Sequence, residues 1–237
     1  MIANSAAVSE HVSAWFDSRT RTFFSRTRHS SITDLFLLTN ERAHMPRIPP
    51  VDPKEFPADK RDLLDTLSDK DIPPEERGHS LEGGTLNVYR TMGQDPALLE
   101  QFRAYGSAVW RESGLSPHER EFVILATAYY ADSAYEWHQH VRVALDEGMD
   151  PEQILAVSRE EQDRLEYNHA AIVDYVAAFV TGTVDDATHD RLAECYDDET
   201  ILGIGMLSGC YLGLARLLDA LAVECEAPFV GWDLENC

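Results

Sequence analysis

Five helix-start signatures follow one another between residues 95 and 161, and this punctuation confines the chain to a helical fold. They are Asp95-Pro96, Ser116-Pro117-His118-Glu119, Ser133-Ala134-Tyr135-Glu136, Asp150-Pro151 and Ser158-Arg159-Glu160-Glu161. Each offers a side-chain oxygen to the orphan N–H groups of a first helical turn, with proline or an acid placed where a first turn favours it. Gly114 and Gly148 stand where helices would stop. Leu165, Ile172, Val173, Val176 and Phe179 recur at helical spacing, and no stretch alternates with period two for long enough to demand a strand. The fold class expected is therefore all-α, one helical bundle. Helices are predicted at 58–67, from Asp95-Pro96 to about Ser113, from Ser116 to about Tyr130, and from Ser133 to Gly148. A short one starts at Asp150-Pro151 and a longer one at Ser158, and two more cover 186–195 and 199–224. Residues 68–86, with two prolines and three glycines, read as a long loop.

The chain of 237 residues divides into two regions. Residues 1–44 are rich in Ser, Thr and Arg and poor in acids, as expected of a partly flexible N-terminal extension, a targeting segment or an upstream start ahead of Met45, with one docking helix at 34–40. No apolar stretch with a cleavage site supports secretion. Residues 45–237 form the helical domain, entered through the extended Met-Pro-Arg-Ile-Pro-Pro-Val-Asp of 45–52.

Charge excludes more than it names. A net charge of −22 repels phosphate backbones and anionic headgroups, so neither a nucleic acid nor a membrane is an expected partner. The apolar run 201–223 approaches the length of a membrane span, and Gly205, Gly209 and Gly213 repeat a G-x-x-x-G spacing. Arg216, Asp219 and the acidic flank at Asp197, Asp198 and Glu199 favour a core helix packed through its glycines. Cys195, Cys210, Cys225 and Cys237 include no C-x-x-C pair, which fits a reduced, cytoplasmic setting.

The residues with chemistry cluster between Glu119 and Gly148. Glu136 and His140 are four apart on one helix and share a face. Glu121 lies on the preceding helix, which the turn at Ala131–Asp132 folds back antiparallel. Tyr135 stands beside Glu136 at a helix start whose N–H groups favour an anion. Each residue also has a plain structural reading. Ser133 and Glu136 form a capping box, His140 is a hydrogen-bonded core histidine, Glu121 is a first-turn acid, and Tyr135 and Trp137 pack. His138 and His140 point too far apart around the helix to chelate one ion, so no metal is assigned.

The segment Tyr-Glu-Trp-His-Gln-His-Val-Arg-Val-Ala-Leu-Asp-Glu-Gly at 135–148 resembles the Tyr-Glu-Trp-x-Gln-His signature of long carboxymuconolactone decarboxylase-like proteins. Further matches fall at 45–50, 87–91, 115–121 and 211–221, so the resemblance spans about 45–226. It implies an AhpD-like helical bundle that assembles as a homo-oligomer, trimer or hexamer, with Trp137 exposed near the subunit contacts. The peroxidase branch of that superfamily works through C-x-x-C-x-x-x-H with an upstream Glu and an intervening Tyr. Here the cysteine positions hold Ser133 and Glu136, while Glu121, Tyr135 and His140 match the rest. Serine and carboxylate form no disulfide, and Cys210 is expected on a distant helix, so thiol peroxidase activity is disfavoured.

The resemblance to the decarboxylase branch implies a cofactor-independent lyase or isomerase acting on a small carboxylated or lactone-like molecule. His140 would be the general acid/base and Glu136 its partner, with Glu121 and Tyr135 completing the relay. Ser133, Trp137 and His138 would contact substrate. A ring-forming or dehydrating enzyme and a non-catalytic oligomeric binding protein are the alternatives.

Overall fold

The computed structural model describes residues 46–64 and 86–237, all within one compact unit that runs from His44 to Cys237. Among the described residues there are eight α-helices and no strand. They are α1 (Asn87–Met92), α2 (Pro96–Arg111), α3 (Pro117–Tyr130), α4 (Ala134–Asp146), α5 (Pro151–Ser158), α6 (Tyr167–Thr181), α7 (Asp186–Ala193) and α8 (Asp198–Leu221). The expected helix at 34–40 and the loop at 68–85 lie outside the described residues.

Helix α3 is the centre. It packs against α4, α5, α6 and α8. Phe122, Val123, Ile124, Leu125 and Ala126 are all without exposure, as a helix apolar on every side must be when other helices surround it. Burying side chains of that size contributes about 1.5–3 kcal/mol each. Its start is fixed locally: Ser116 Oγ accepts from Glu119 N–H, and the Glu119 carboxylate accepts from Ser116 N–H at 3.0 Å. The turn after α3 puts Asp132 at φ 56° and returns the chain as α4.

Several boundaries differ from the sequence expectation. Residues 58–64 are a 3₁₀ helix, not an α-helix, and residues 65–67 lie outside the described residues. Residues 87–92 form α1, which no local signature announced. Ser158 closes α5 instead of opening a helix; Glu160 sits at φ 57°, a 3₁₀ turn follows at Gln162–Arg164, and α6 begins only at Tyr167. Arg159 and Glu160 thus form a turn, and the Ser158 hydroxyl bonds back to the Leu155 carbonyl.

Helix α8 is the one described helix long and apolar enough to cross a membrane, and it packs against α2, α3, α4, α6 and α7. Its closest approach is at Gly203, where an added Cβ would come within 2.2 Å of the Ser113 carbonyl oxygen at the end of α2. Gly205 and Gly209 only face the Phe179 ring, and Gly213 meets nothing within 4 Å. Tight packing through the G-x-x-x-G series is therefore corrected to a single contact just ahead of it, at Gly203.

After α8, residues 222–237 run without helix back over α1 and α4. Asn87 donates to the Glu226 carboxylate and to the Glu224 carbonyl. Trp137 Nε1–H donates to Gly231 O at 3.0 Å, and Val230 N–H donates to His138 Nδ1 at 3.2 Å.

Candidate active site

Folding α4 back on α3 brings Glu121 beside His140. His140 Nδ1 lies 2.8 Å from Glu121 Oε2, and both side chains are buried, with Glu121 wholly so. In the tautomer that donates Nδ1–H to this carboxylate, Nε2 carries the lone pair. Nε2 points toward Glu136, whose Oε2 is 3.8 Å away. Glu121, His140 and Glu136 therefore stand in line, imidazole in the middle.

Glu136 is 4% exposed, and burial pushes its carboxyl up to about 7; the Glu226 charge adds to that rise and His140 opposes it. The capping-box reading of Glu136 is half met. Ser133 Oγ accepts from Glu136 N–H at 3.4 Å, but the Glu136 carboxyl does not return the bond to Ser133 and turns to His140.

Three aromatic groups enclose the imidazole and its partner acid. The Tyr211 ring of α8 meets the imidazole edge-on at 5.0 Å, and the Trp110 ring of α2 is tilted against it at 5.9 Å. The Tyr89 phenol of α1 lies close enough to Glu136 for that charge to oppose its ionisation, and Arg103 sits 4.3 Å over the Tyr89 ring. None of these four residues was assigned to the site from sequence; Tyr89 and Tyr211 lie in the matched segments 87–91 and 211–221, and Trp110 and Arg103 in no motif.

The remaining expected site residues fall elsewhere. Tyr135 gives its hydroxyl proton to Glu226 Oε1 at 2.7 Å and accepts from Val88 N–H at 3.1 Å, and burial against Glu226 keeps the phenol protonated. Trp137 is not exposed: it has no accessible surface and lies against Trp232 and Tyr129. His138, expected to contact substrate, is likewise fully buried and accepts from Val230 N–H. Trp137 and His138 therefore anchor the C-terminal segment. Glu226 was also missed, although it accepts from Tyr135, Asn87 N–H and Gln139 at once.

Cys210 is nearer than its sequence position suggested. Packing of α8 on α4 sets its thiol close enough to Glu136 for the carboxylate to add to burial, and together they push it up to about 11. Among the described residues all four cysteines are free, and no group of three His, Cys, Asp or Glu side chains is arranged to hold a metal ion.

Residues 96–172 match the carboxymuconolactone decarboxylase family. No curated protein matches the sequence. Among solved structures, a peroxidase-related protein with an alkylhydroperoxidase AhpD core from Ralstonia eutropha JMP134 superposes with a TM-score of 0.65 at 19% identity, covering 80% of this chain and 97% of that one. The debrominase Bmp8 superposes at 0.64 and 16% identity, covering 78% and 96%. A second structure of that debrominase, a cysteine variant holding 2,3,4-tribromopyrrole, gives 0.57 and 20%, covering 70% and 92%. The likenesses establish an AhpD-like fold, and the stretch from α2 into the first turns of α6 matches the carboxymuconolactone decarboxylase family.

Proposed function

We propose that this chain is a cofactor-independent acid/base enzyme, a decarboxylase-like lyase or an isomerase, acting on a small carboxylated or lactone-like metabolite. The observation that carries the reading is the buried line Glu121–His140–Glu136, with 2.8 Å on one side of the imidazole and 3.8 Å on the other. Glu121 holds His140 by its Nδ1 proton, so Nε2 can take a proton from substrate or pass one on. Glu136, pushed up to about 7, is a carboxylic acid about half the time at neutral pH and can donate.

In the lyase form the carbon–carboxylate bond breaks, carbon dioxide leaves, and the electron pair moves into the lactone carbonyl as an enolate. The Glu136 proton then goes to the vacated carbon, directly or passed through His140 Nε2. In the isomerase form Nε2 removes a carbon-bound proton and Glu136 returns one elsewhere. Thiol peroxidase chemistry is disfavoured, since the motif's cysteine positions are Ser133 and Glu136 and the Cys210 thiol is pushed up to about 11. The fold's use by a debrominase that takes a small heteroaromatic ring supports a small-molecule role.

The test is a panel of carboxylated lactones and related acids, read by carbon dioxide release and by deuterium uptake in heavy water. Replacing His140→Asn or Glu136→Gln should cut turnover by about 10²–10⁴-fold. Full turnover in both variants rejects the relay. Bound but unconverted ligand favours the non-catalytic binding protein.

We also propose a cytoplasmic homo-oligomer, trimer or hexamer. Its support is an apolar groove of about 640 Å³ lined by Tyr105, Phe179, Leu202 and Met206, with Leu202 65% exposed. A monomer by light scattering at micromolar concentration rejects it.

A further inference from the structure

Behind Glu121, on the side away from the imidazole bond, lies a buried cation that the relay does not use. Arg120 is 8% exposed. Its guanidinium stacks on the Trp110 ring at 3.9 Å, and Nη1 reaches the Trp110 carbonyl at 3.5 Å. Nη2 lies 3.8 Å from the partly exposed Glu147 carboxylate. Nε lies 3.7 Å from Glu121 Oε1, and neither of these two buried atoms has a hydrogen bond.

We propose that Arg120 is a positioning residue: its charge keeps Glu121 ionised, and thereby keeps the His140 proton on Nδ1 and the lone pair on Nε2. The argument starts from desolvation. A carboxylate without water favours its neutral form unless a cation sits beside it. A neutral Glu121 would place its own proton on the bond to Nδ1. The imidazole proton would then move to Nε2, and the base would face Glu136 with nothing to accept. The other groups facing His140 supply no replacement: Glu136 comes from its own helix, and Tyr211 and Trp110 come from α8 and α2 as rings. Among the described residues Arg120 is the cation paired with Glu121. The Trp110 ring, which touches both guanidinium and imidazole, fixes the distance between them.

The inference rests on His140 acting as the base, but it can be read without substrate. Full-length protein carrying ¹⁵N-histidine, with His140→Asn to assign the signal, reports the His140 tautomer. The wild type and Arg120→Lys should carry the proton on Nδ1 at pH 8. Arg120→Met should move it to Nε2. An unchanged tautomer in Arg120→Met overturns the proposal. If that variant does not fold, Arg120→Gln decides by the same signal: an unchanged tautomer overturns the proposal. A changed tautomer with full turnover would instead overturn the acid/base function and leave the role of Arg120 standing.

Discussion

Glu136→Gln exchanges a buried acid for a neutral group of the same shape, and its effect on stability should depend on pH in a defined direction. In the folded protein the carboxyl is pushed from 4.5 up to about 7. The folded state therefore binds that proton more tightly than the unfolded chain does. Relative stability is greatest below about 4.5 and is lost as pH rises through about 7. The rise corresponds to roughly 3 kcal/mol at about 1.4 kcal/mol per pH unit, and the 4% exposure of the side chain leaves little solvent to screen it. A glutamine side chain cannot ionise, so the variant should lack this loss. Urea unfolding at pH 5 and pH 8.5, at one protein concentration, measures it. The wild type should lose up to roughly 3 kcal/mol more than Glu136→Gln across that interval, or on the order of 10 °C in Tm for a chain of this size. Titrating groups away from Glu136 act equally in both proteins and cancel in the comparison. Parallel losses in the two proteins would refute the raised proton affinity, and with it the claim that Glu136 can donate near neutrality.

Glu226→Gln keeps an acceptor for Tyr135 while removing the charge that helps hold the Glu136 proton. The basic limb of the pH–activity profile, or a carboxyl titration of Glu136, should shift to lower pH. Gly203→Ala and Gly213→Ala should differ in sign. The first drives a methyl into the Ser113 carbonyl and should cost about 1–3 kcal/mol or more, whereas the second meets nothing and should gain up to about 1 kcal/mol of helix propensity, both read by urea midpoints. Trp137→Phe leaves the Gly231 carbonyl unpaired and should cost about 1–3 kcal/mol, with faster amide exchange over residues 229–236. Alkylation at pH 8 should reach exposed Cys237 well before Cys210, whose thiolate fraction is on the order of one in a thousand.

What could be read from sequence was what is decided within a few residues. The Ser116–Glu119 box and the Asp95 and Asp150 caps are closed by neighbours in the chain, so they appear in the structure where the residues put them. The Glu136/His140 pairing followed from helical period, and Glu121 from a short turn. Local logic failed where a distant group competed. Ser133 and Glu136 look like Ser116 and Glu119, yet His140 draws the second carboxyl away from its cap. Ser158 was read as a start because nothing local reveals that it bonds backward. Glycines four apart suggested a packing stripe, but the contact is set by where α2 ends, at Gly203. Arg120, Trp110, Tyr211 and Glu226 reach the site from four parts of the chain. Only folding brings them together.

The stretch beyond α8 fastens the signature helix from outside. The first half of α4 is tied to it by an indole bond at Gly231, an imidazole bond at Val230 and the paired hydroxyl and amide bonds at Glu226. A proteolytic cut between Val223 and Glu226 would thus unlatch three ties at once while sparing every helix. Nicked protein should keep its circular dichroism yet release Trp137 to quenchers, and any loss of turnover should track that fluorescence change cut for cut.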